Sequence, residues 1–132
     1  MAKTIAEKLM IKANTTVWLS HARHLPLLTP MPDGVREVGT MATASTAVVF
    51  VDDAASAREI LAAHADELAL PGVFWVAYPK GNRADVNRDS LWPILAEFGM
   101  RPNGQVAVDN TWSAMRFRTS KPDEAPFQPG AD

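Results

Sequence analysis

The sequence predicts a single α/β domain, a small Rossmann-like three-layer sandwich whose mostly parallel sheet ends in an antiparallel C-terminal hairpin. Two continuous apolar runs, at residues 46–51 and 72–78, are long enough for one strand each and too short for ordinary helices. Their continuous apolar character indicates burial on both faces, as in a parallel sheet covered by helices. Between them, residues 54–70 have the apolar spacing of an amphipathic helix, which completes a strand–helix–strand unit.

Composition limits the size, compartment and partners of this domain. The 132 residues suffice for one domain, and the 47% apolar and 21% charged fractions are close to globular averages. A net charge of -2 gives no global attraction for nucleic acid or acidic membranes. The absence of cysteine excludes disulfides, thiolate metal sites and cysteine nucleophiles. Residues 1–10 lack the apolar core of a secretory signal, and no apolar run reaches the roughly 20 residues of a membrane span, so we expect a cytoplasmic protein.

The first third of the chain is predicted to alternate short elements with turns. Thr4 and Glu7 have the spacing of a capping box, in which each side chain satisfies an amide at the start of a short helix. β-Branched and aromatic residues favour the first strand, whereas Pro26 limits the helix after it to one or two turns. The predicted elements are a helix at 4–10, a strand at 15–20, helical turns at 21–28, a turn at 30–34 and a short strand at 35–38.

The rest of the chain is predicted to contain two helices and four strands. Asp53 is the predicted N-cap of the long helix, and Pro71 with Gly72 ends it. Asp89 is the predicted N-cap of the following helix, which Gly99 ends. The predicted elements are helices at 54–70 and 89–99, and strands at 46–51, 72–78, 105–109 and 113–118.

These elements form one predicted domain at residues 1–118, followed by an irregular, proline-rich segment at residues 119–132. Ligands of such sheets bind outside the carboxyl ends of the strands. We therefore expect functional side chains at that edge. The residues predicted there are Ser20, His21, Asp52, Asp53, residues 78–83 and Asp109.

Three segments stand out in combination. They are AEKL at residues 6–9 followed by Ile11 and Lys12, FWVAYPK at residues 74–80, and DNTWSAMRF at residues 109–117. Together they resemble a family of small, uncharacterised bacterial proteins common in actinobacteria, over roughly residues 5–118. The resemblance implies the fold and a bacterial cytoplasmic location, and it implies no particular activity.

The order of the later elements is similar to the second half of class I S-adenosylmethionine-dependent methyltransferases. There too a helix, a Pro-Gly break, a strand, another helix and a terminal hairpin follow one another. Such enzymes carry a glycine-rich turn after the first strand, where the backbone must approach the cofactor. This sequence has Ser20, His21, Ala22, Arg23 and His24 at that place, without glycine. The departure argues against binding of this cofactor, because a fold alone does not confer the function.

The loop at residues 80–89 is the best candidate for a binding site. Its three cations supply positive charge, and Gly81 lets the backbone come close to a ligand. The loop leads into a helix N-terminus, whose free amides favour a phosphate or carboxylate. The alternative is a solvated loop whose aspartates pair with these cations. The predicted ligand-binding residues are Tyr78, Lys80, Gly81, Asn82, Arg83, Asn87, Arg88, Asp52 and Trp112.

Histidine and carboxylate pairs are weaker candidates. His21 and His24 have the spacing of one helical face, but a metal site would need further ligands such as Asp52 or Asp53. No wider ligand motif is present, so we predict no metal site. The two aspartates resemble a catalytic pair, although helix capping explains Asp53. Because Ser20 lacks the glycine pattern of a nucleophile elbow, we predict no catalytic residue.

The tryptophans offer either a stacking platform or a core. Trp18, Trp75 and Trp92 lie within apolar runs, so we predict that they pack in the core. Trp112 lies in a predicted turn and either lines a pocket or anchors the hairpin. Arg116 should point to the opposite sheet face from its two neighbours.

The sequence leaves the cofactor unassigned and predicts a non-catalytic Rossmann-like domain that binds a protein partner or a small anionic ligand. The alternative is a divergent enzyme of methyltransferase type that uses S-adenosylmethionine or a nucleotide. Nucleic-acid binding is disfavoured because the sequence has no basic stripe. An uncovered hairpin edge would allow a homodimer.

Overall fold

The protein forms one six-stranded mixed sheet with helices, which confirms the predicted fold class. The computed structural model describes residues 4–80 and 85–125, with only the backbone of Arg88. The strands are Thr16–Leu19 (β1), Arg36–Glu37 (β2), Thr46–Phe50 (β3), Val73–Pro79 (β4), Met100–Ala107 (β5) and Trp112–Thr119 (β6). The helices are Ile5–Lys8 (α1), Ala54–Ala63 (α2) and Arg88–Ala96 (α3), with 3-10 segments at Ala22–Leu28, Met41–Thr43 and Ala65–Glu67.

The strand order is β2-β1-β3-β4-β6-β5. The first four strands of this order are mutually parallel, and β6 runs antiparallel to both β4 and β5. The carboxyl ends of β1, β3 and β4 therefore meet at one edge, beside the start of β6, where Pro79 pairs with Trp112. This edge is the one at which the sequence predicted ligand binding.

Apolar side chains cover the sheet on both faces, which makes a three-layer sandwich. On one face α2 and α3 pack against alternate strand residues, including Val49, Val76 and Met115. On the other face α1 and the 3-10 segment pack against Val48, Trp75 and other residues of the same strands. Within residues 4–80 and 85–125, no helix is both long and apolar enough to cross a bilayer.

Helix α1 begins with the predicted capping box. The Thr4 hydroxyl accepts the Glu7 amide at 3.1 Å, and the Glu7 carboxylate accepts the Thr4 amide at 2.8 Å. The helix is shorter than predicted because Met10, which follows it, has a positive φ of 64°. The indole N–H of buried Trp75 donates to the Leu9 carbonyl at 2.9 Å and ties this end of the chain to β4.

Helix α2 ends at Ala63, so the prediction of one helix through residue 70 was wrong in its second part. Its predicted N-cap is confirmed, since the Asp53 carboxylate accepts the Ser56 amide at 2.7 Å. The helix ends because His64 leaves helical geometry, with φ -117°. The imidazole ring then packs edge-on against Trp18, with ring centroids 5.0 Å apart. A 3-10 turn replaces the remaining helix.

Three boundaries in the last third of the chain also differ from prediction. The N-cap of α3 is Asn87, whose side-chain oxygen accepts the amides of Asp89 and Ser90, and not Asp89 as predicted. Strand β5 begins at Met100, because it pairs with β6 along its whole length despite an irregularity after Pro102. Trp112 is the first residue of β6 and not part of the turn, because its carbonyl already accepts the Val108 amide.

Candidate ligand-binding site

The candidate site is the edge where the parallel strands end. Ser20 follows β1, Asp52 lies two residues after β3, and Lys80 follows β4. The chain leaves β1 toward β2 on one side, and β3 lies on the other side. Such a change in direction creates the crevice where folds of this class bind their ligands. The side chains around this crevice therefore decide what can bind there.

Ser20 joins the ends of β1 and β3. Its amide donates to the Val48 carbonyl at 3.0 Å, and its hydroxyl accepts the Phe50 amide at 2.7 Å. The same hydroxyl lies 2.9 Å from Nδ1 of His21. The side chain thus continues the hydrogen bonding between the two strands beyond the last backbone pair.

Three rings, which we call the aromatic cluster, fill the space over this strand end: His24, Phe50 and Trp112. The imidazole ring of His24 stacks on Phe50, with centroids 4.3 Å apart and planes 23° apart. Trp112 meets both rings edge-on, at 5.2 Å from His24 and 5.3 Å from Phe50. These contacts favour the interpretation of Trp112 as an anchor, because they link β6 to β3 and to the 3-10 segment. Protein side chains thus occupy the sheet face beside the crevice.

The His24 imidazole is in an environment that opposes its protonation. Its Nε2 atom is buried and has no hydrogen-bond partner among residues 4–80 and 85–125. Burial, followed by repulsion from Arg23 and from His21, lowers the pKa of His24 below 6.5, against the opposing attraction of Asp52. We conclude that the neutral imidazole is the form that fits the aromatic cluster.

The end of β4 is fixed to the β5–β6 turn. Buried Tyr78 accepts a hydrogen bond on its hydroxyl from Nε2 of Gln105 at 2.8 Å. The Lys80 amide donates to the Thr111 carbonyl at 2.8 Å, and the Lys80 side chain is half-buried. Asp109 accepts the amides of Thr111 and Trp112 on one carboxylate oxygen. The backbone of Lys80 is therefore held in place beside Trp112.

Side chains of the protein already occupy amides at the two helix N-termini of this edge. At α2, the Ser56 amide is bound by Asp53, and the Ala54 amide donates to the Asp85 carboxylate at 2.7 Å. At α3, Asn87 takes two amides. An anion at this edge would therefore depend on cationic side chains more than on helix amides.

The structure brings some of the predicted site residues together and leaves others undescribed. Tyr78, Lys80 and Trp112 cluster around the β5–β6 turn, as the contacts above show. Asp52 is exposed, and its amide donates to the Ser56 hydroxyl at 2.9 Å. The predicted residues outside the described part of the chain are Gly81, Asn82, Arg83 and the Arg88 side chain.

Two residues of the edge were not among the predicted ligand-binding positions. Phe50 lies within the apolar run at residues 46–51, and this run predicts a buried strand without indicating a role at the edge. Glu37, the last residue of β2, is exposed at the carboxyl end of the neighbouring strand. An acidic residue about 20 positions after the first strand binds ribose in dinucleotide-binding folds. The distance in sequence between Ser20 and Glu37 was the signal that could have identified Glu37 as a candidate ligand-binding residue.

The Ser20 hydroxyl lies within hydrogen-bonding distance of His21, 2.9 Å from Nδ1. The same hydroxyl accepts the Phe50 amide, and within residues 4–80 and 85–125 no carboxylate hydrogen-bonds to His21. A triad requires such an orienting group. In the same part of the chain, no three His, Asp or Glu side chains lie close enough to hold one metal ion.

Solved structures share this fold at low sequence identity. A proposed tRNA methyltransferase of Streptococcus pneumoniae is 10% identical with a TM-score of 0.55, over 95% of this chain and 73% of that chain. A protein of the NADB-Rossmann superfamily from Streptococcus agalactiae is 11% identical with a TM-score of 0.56, over 95% and 72% of the two chains. An uncharacterised protein of Listeria monocytogenes is 15% identical with a TM-score of 0.53, over 98% and 72%.

These similarities concern the fold. No family model and no curated protein matches the sequence. The layout predicted from the order of elements, that of the methyltransferase-like Rossmann folds, is confirmed. The chain therefore has a methyltransferase-like α/β fold whose first strand ends in Ser20 and an aromatic cluster.

Proposed function

We propose that this chain is a non-catalytic Rossmann-like domain that binds a small anionic ligand beside Lys80. The observation that supports it best is the closed end of β1. In the segment where a glycine-rich turn would leave room for a cofactor, the Ser20 hydroxyl instead accepts the Phe50 amide, and His24 stacks on Phe50. A ligand at this edge would therefore bind near the end of β4 and the loop after it, and not at the end of β1.

The charges at this edge favour an anion of modest size. Lys80 is held beside the β5–β6 turn, and Arg83 and Arg88 follow it in sequence. Asp85 is already engaged with the Ala54 amide, so its carboxylate is partly neutralised by the N-terminus of α2. A phosphate or carboxylate group would gain charge-assisted hydrogen bonds from the cations.

A thermal-shift screen tests this proposal. A ligand that binds only the folded state raises its stability by mass action, so inorganic phosphate and phosphorylated metabolites should raise the Tm in a saturable way. The double variant K80A/R83A should lose this shift and still fold. The matched control is K8A/K12A, which removes the same charge from exposed residues of the N-terminal region. Equal shifts in the two variants would exclude the loop as the binding site.

A protein partner is the other outcome of the same screen. If no small anion changes the Tm, the proposal of a small ligand fails. Capture from a lysate with wild-type and K80A/R83A protein would then show whether a partner recognises the same cations.

The second candidate is an enzyme that uses S-adenosylmethionine or a nucleotide. It is favoured by the fold, since the Streptococcus pneumoniae protein was also solved in complex with S-adenosyl-L-methionine, and by the position of Glu37. Calorimetry with S-adenosylmethionine distinguishes the candidates. A saturable binding heat that is lost in E37A would support the enzyme candidate. No binding heat at high protein concentration would exclude S-adenosylmethionine as its cofactor.

A further inference from the structure

Two arginines face each other across the C-terminal hairpin. Arg101 of β5 pairs directly with Arg118 of β6, at the end of the sheet opposite the candidate site. Like charges at directly opposed positions of an antiparallel pair destabilise it. An anion close by would offset this repulsion.

Glu124 supplies that anion from the same chain. Its carboxylate accepts two hydrogen bonds from the Arg118 guanidinium, at 2.7 and 3.1 Å, and lies 3.1 Å from the Arg101 guanidinium. The Lys121 amide adds a further bond at 3.0 Å. Arg101 is also held by the Ser120 hydroxyl and the Ala125 carbonyl. The Glu124 carboxylate is thus held by both arginines and by a backbone amide.

The electrostatics of the group agree with this geometry. Hydrogen bonding from Arg118, then from the Lys121 amide, lowers the pKa of Glu124 to about 2, with added attraction from Arg101. The Arg118 pKa is raised in return by the same hydrogen bond. The carboxylate is thus ionised throughout the physiological range, so proton uptake cannot release it there.

We infer that Arg101 and Arg118 form a binding site for an acidic peptide segment of a protein partner, and that Glu124 occupies this site in the free protein. The group bound there in the structure is the side-chain carboxylate of a glutamate. The site therefore accepts a carboxylate that is carried by a polypeptide chain. Glu124 lies on the segment after β6, so its displacement by an external competitor would leave the pairing of β5 with β6 in place.

A cavity of about 170 Å³ borders the site, and its lining residues include Arg116, Arg118 and Thr119. A peptide segment bound at the two arginines would extend along this mostly polar surface. The predicted motif is therefore a glutamate or aspartate in an extended segment. This site is separate from the one beside Lys80.

The test uses a fluorescein-labelled tetrapeptide amide of alternating Glu and Ala, with full-length protein. Replacing Glu124 by Gln removes the internal competitor, so E124Q should bind the peptide at least 10-fold more tightly than wild type. The double variant E124Q/R118A should lose this gain, and D123N, which neutralises the exposed neighbouring acid, should bind as wild type does. K80A/R83A should bind as wild type, which separates this site from the proposed function.

A second measurement keeps the inference testable if the peptide is poorly chosen. The E124Q protein should have a lower Tm than wild type, and citrate should restore it, whereas chloride at equal ionic strength should not. Citrate should have no such effect on E124Q/R118A. A tetrapeptide affinity of E124Q equal to that of wild type, together with a Tm insensitive to citrate, would overturn the inference.

Discussion

His24 stacks on Phe50, with ring centroids 4.3 Å apart. Phe50 is the last residue of β3, and His24 lies in the 3-10 segment that follows β1. This contact joins two parallel strands through side chains beyond their last backbone pair. Because one partner titrates near neutral pH and the other does not, the contact should make stability depend on pH.

The first prediction concerns that dependence. The folded protein lowers the pKa of His24 below its ordinary value of 6.5, so the unfolded chain binds the proton more readily. Stability should therefore be fully present above about pH 6.5 and decline as the pH falls below it. The variant H24F keeps the stacked ring and removes the titration. Urea denaturation at pH 8 and pH 5 should show a smaller loss in H24F than in wild type.

His21 and His64 remain in both proteins, so the difference between the two pH profiles isolates His24. Identical profiles for wild type and H24F would mean that the buried Nε2 atom is protonated without cost in the folded protein.

The second prediction concerns the carboxylate that joins the β4–α3 loop to α2. Asp85 accepts the Ala54 amide at 2.7 Å, the role of a capping side chain. D85A should lower the free energy of unfolding by about 0.5–2 kcal/mol, because the amide loses its partner. D85N retains an acceptor oxygen and should lose less. Chemical denaturation of both variants measures the difference, and equal losses would indicate that charge alone matters at Asp85.

The third prediction concerns the indole of Trp75. Its N–H donates to the Leu9 carbonyl in a fully buried position between α1 and β4. W75F should destabilise the protein by about 1–3 kcal/mol, since the buried carbonyl loses its donor, with a further loss from the smaller ring. The expected loss is larger than for W92F, because Trp92 is only partly buried. Equilibrium unfolding monitored by far-UV circular dichroism compares the two, and the reverse order would contradict the prediction.

The fourth prediction is that the protein is a monomer. Strand β5 forms one sheet edge, and it contains Pro102, which has no amide, and an irregularity between Pro102 and Gly104. Both features protect edge strands from pairing with another chain. The opposite edge is β2, with only two residues. Light scattering should give a single species of 14.4 kDa, and a mass twice as large would establish the homodimer that an open edge allows.

Much of the fold follows from local patterns in the sequence. The continuous apolar runs identified β3 and β4 because both strands are buried on both faces. Such strands are apolar throughout and do not alternate between apolar and polar residues. Asp53 was identified as a cap because a short polar side chain before an apolar periodicity has few other roles. Arg116 was placed correctly by alternation, since it reaches Met10 while Met115 and Phe117 enter the opposite core.

What the sequence did not show depends on contacts between distant residues. Helix α2 ends at Ala63, and the next residue, His64, packs on Trp18, which lies 46 positions away in β1. The choice of Asn87 over Asp89 as a cap depends on where the loop enters the helix, and the sequence contained an acceptable capping residue at both positions. The aromatic cluster joins three separate segments, so no local pattern could reveal it.

The hydrogen bond from the Phe50 amide to the Ser20 hydroxyl has a consequence for the protein without a ligand. In a sheet whose strand ends are completed by a cofactor, removing the cofactor leaves polar groups and apolar surface without partners. Here residues of the same chain supply both partners. The Phe50 amide donates to the Ser20 hydroxyl, and the Phe50 ring stacks on His24. We therefore expect the strand ends to keep these contacts in the free protein, without a bound small molecule to complete them.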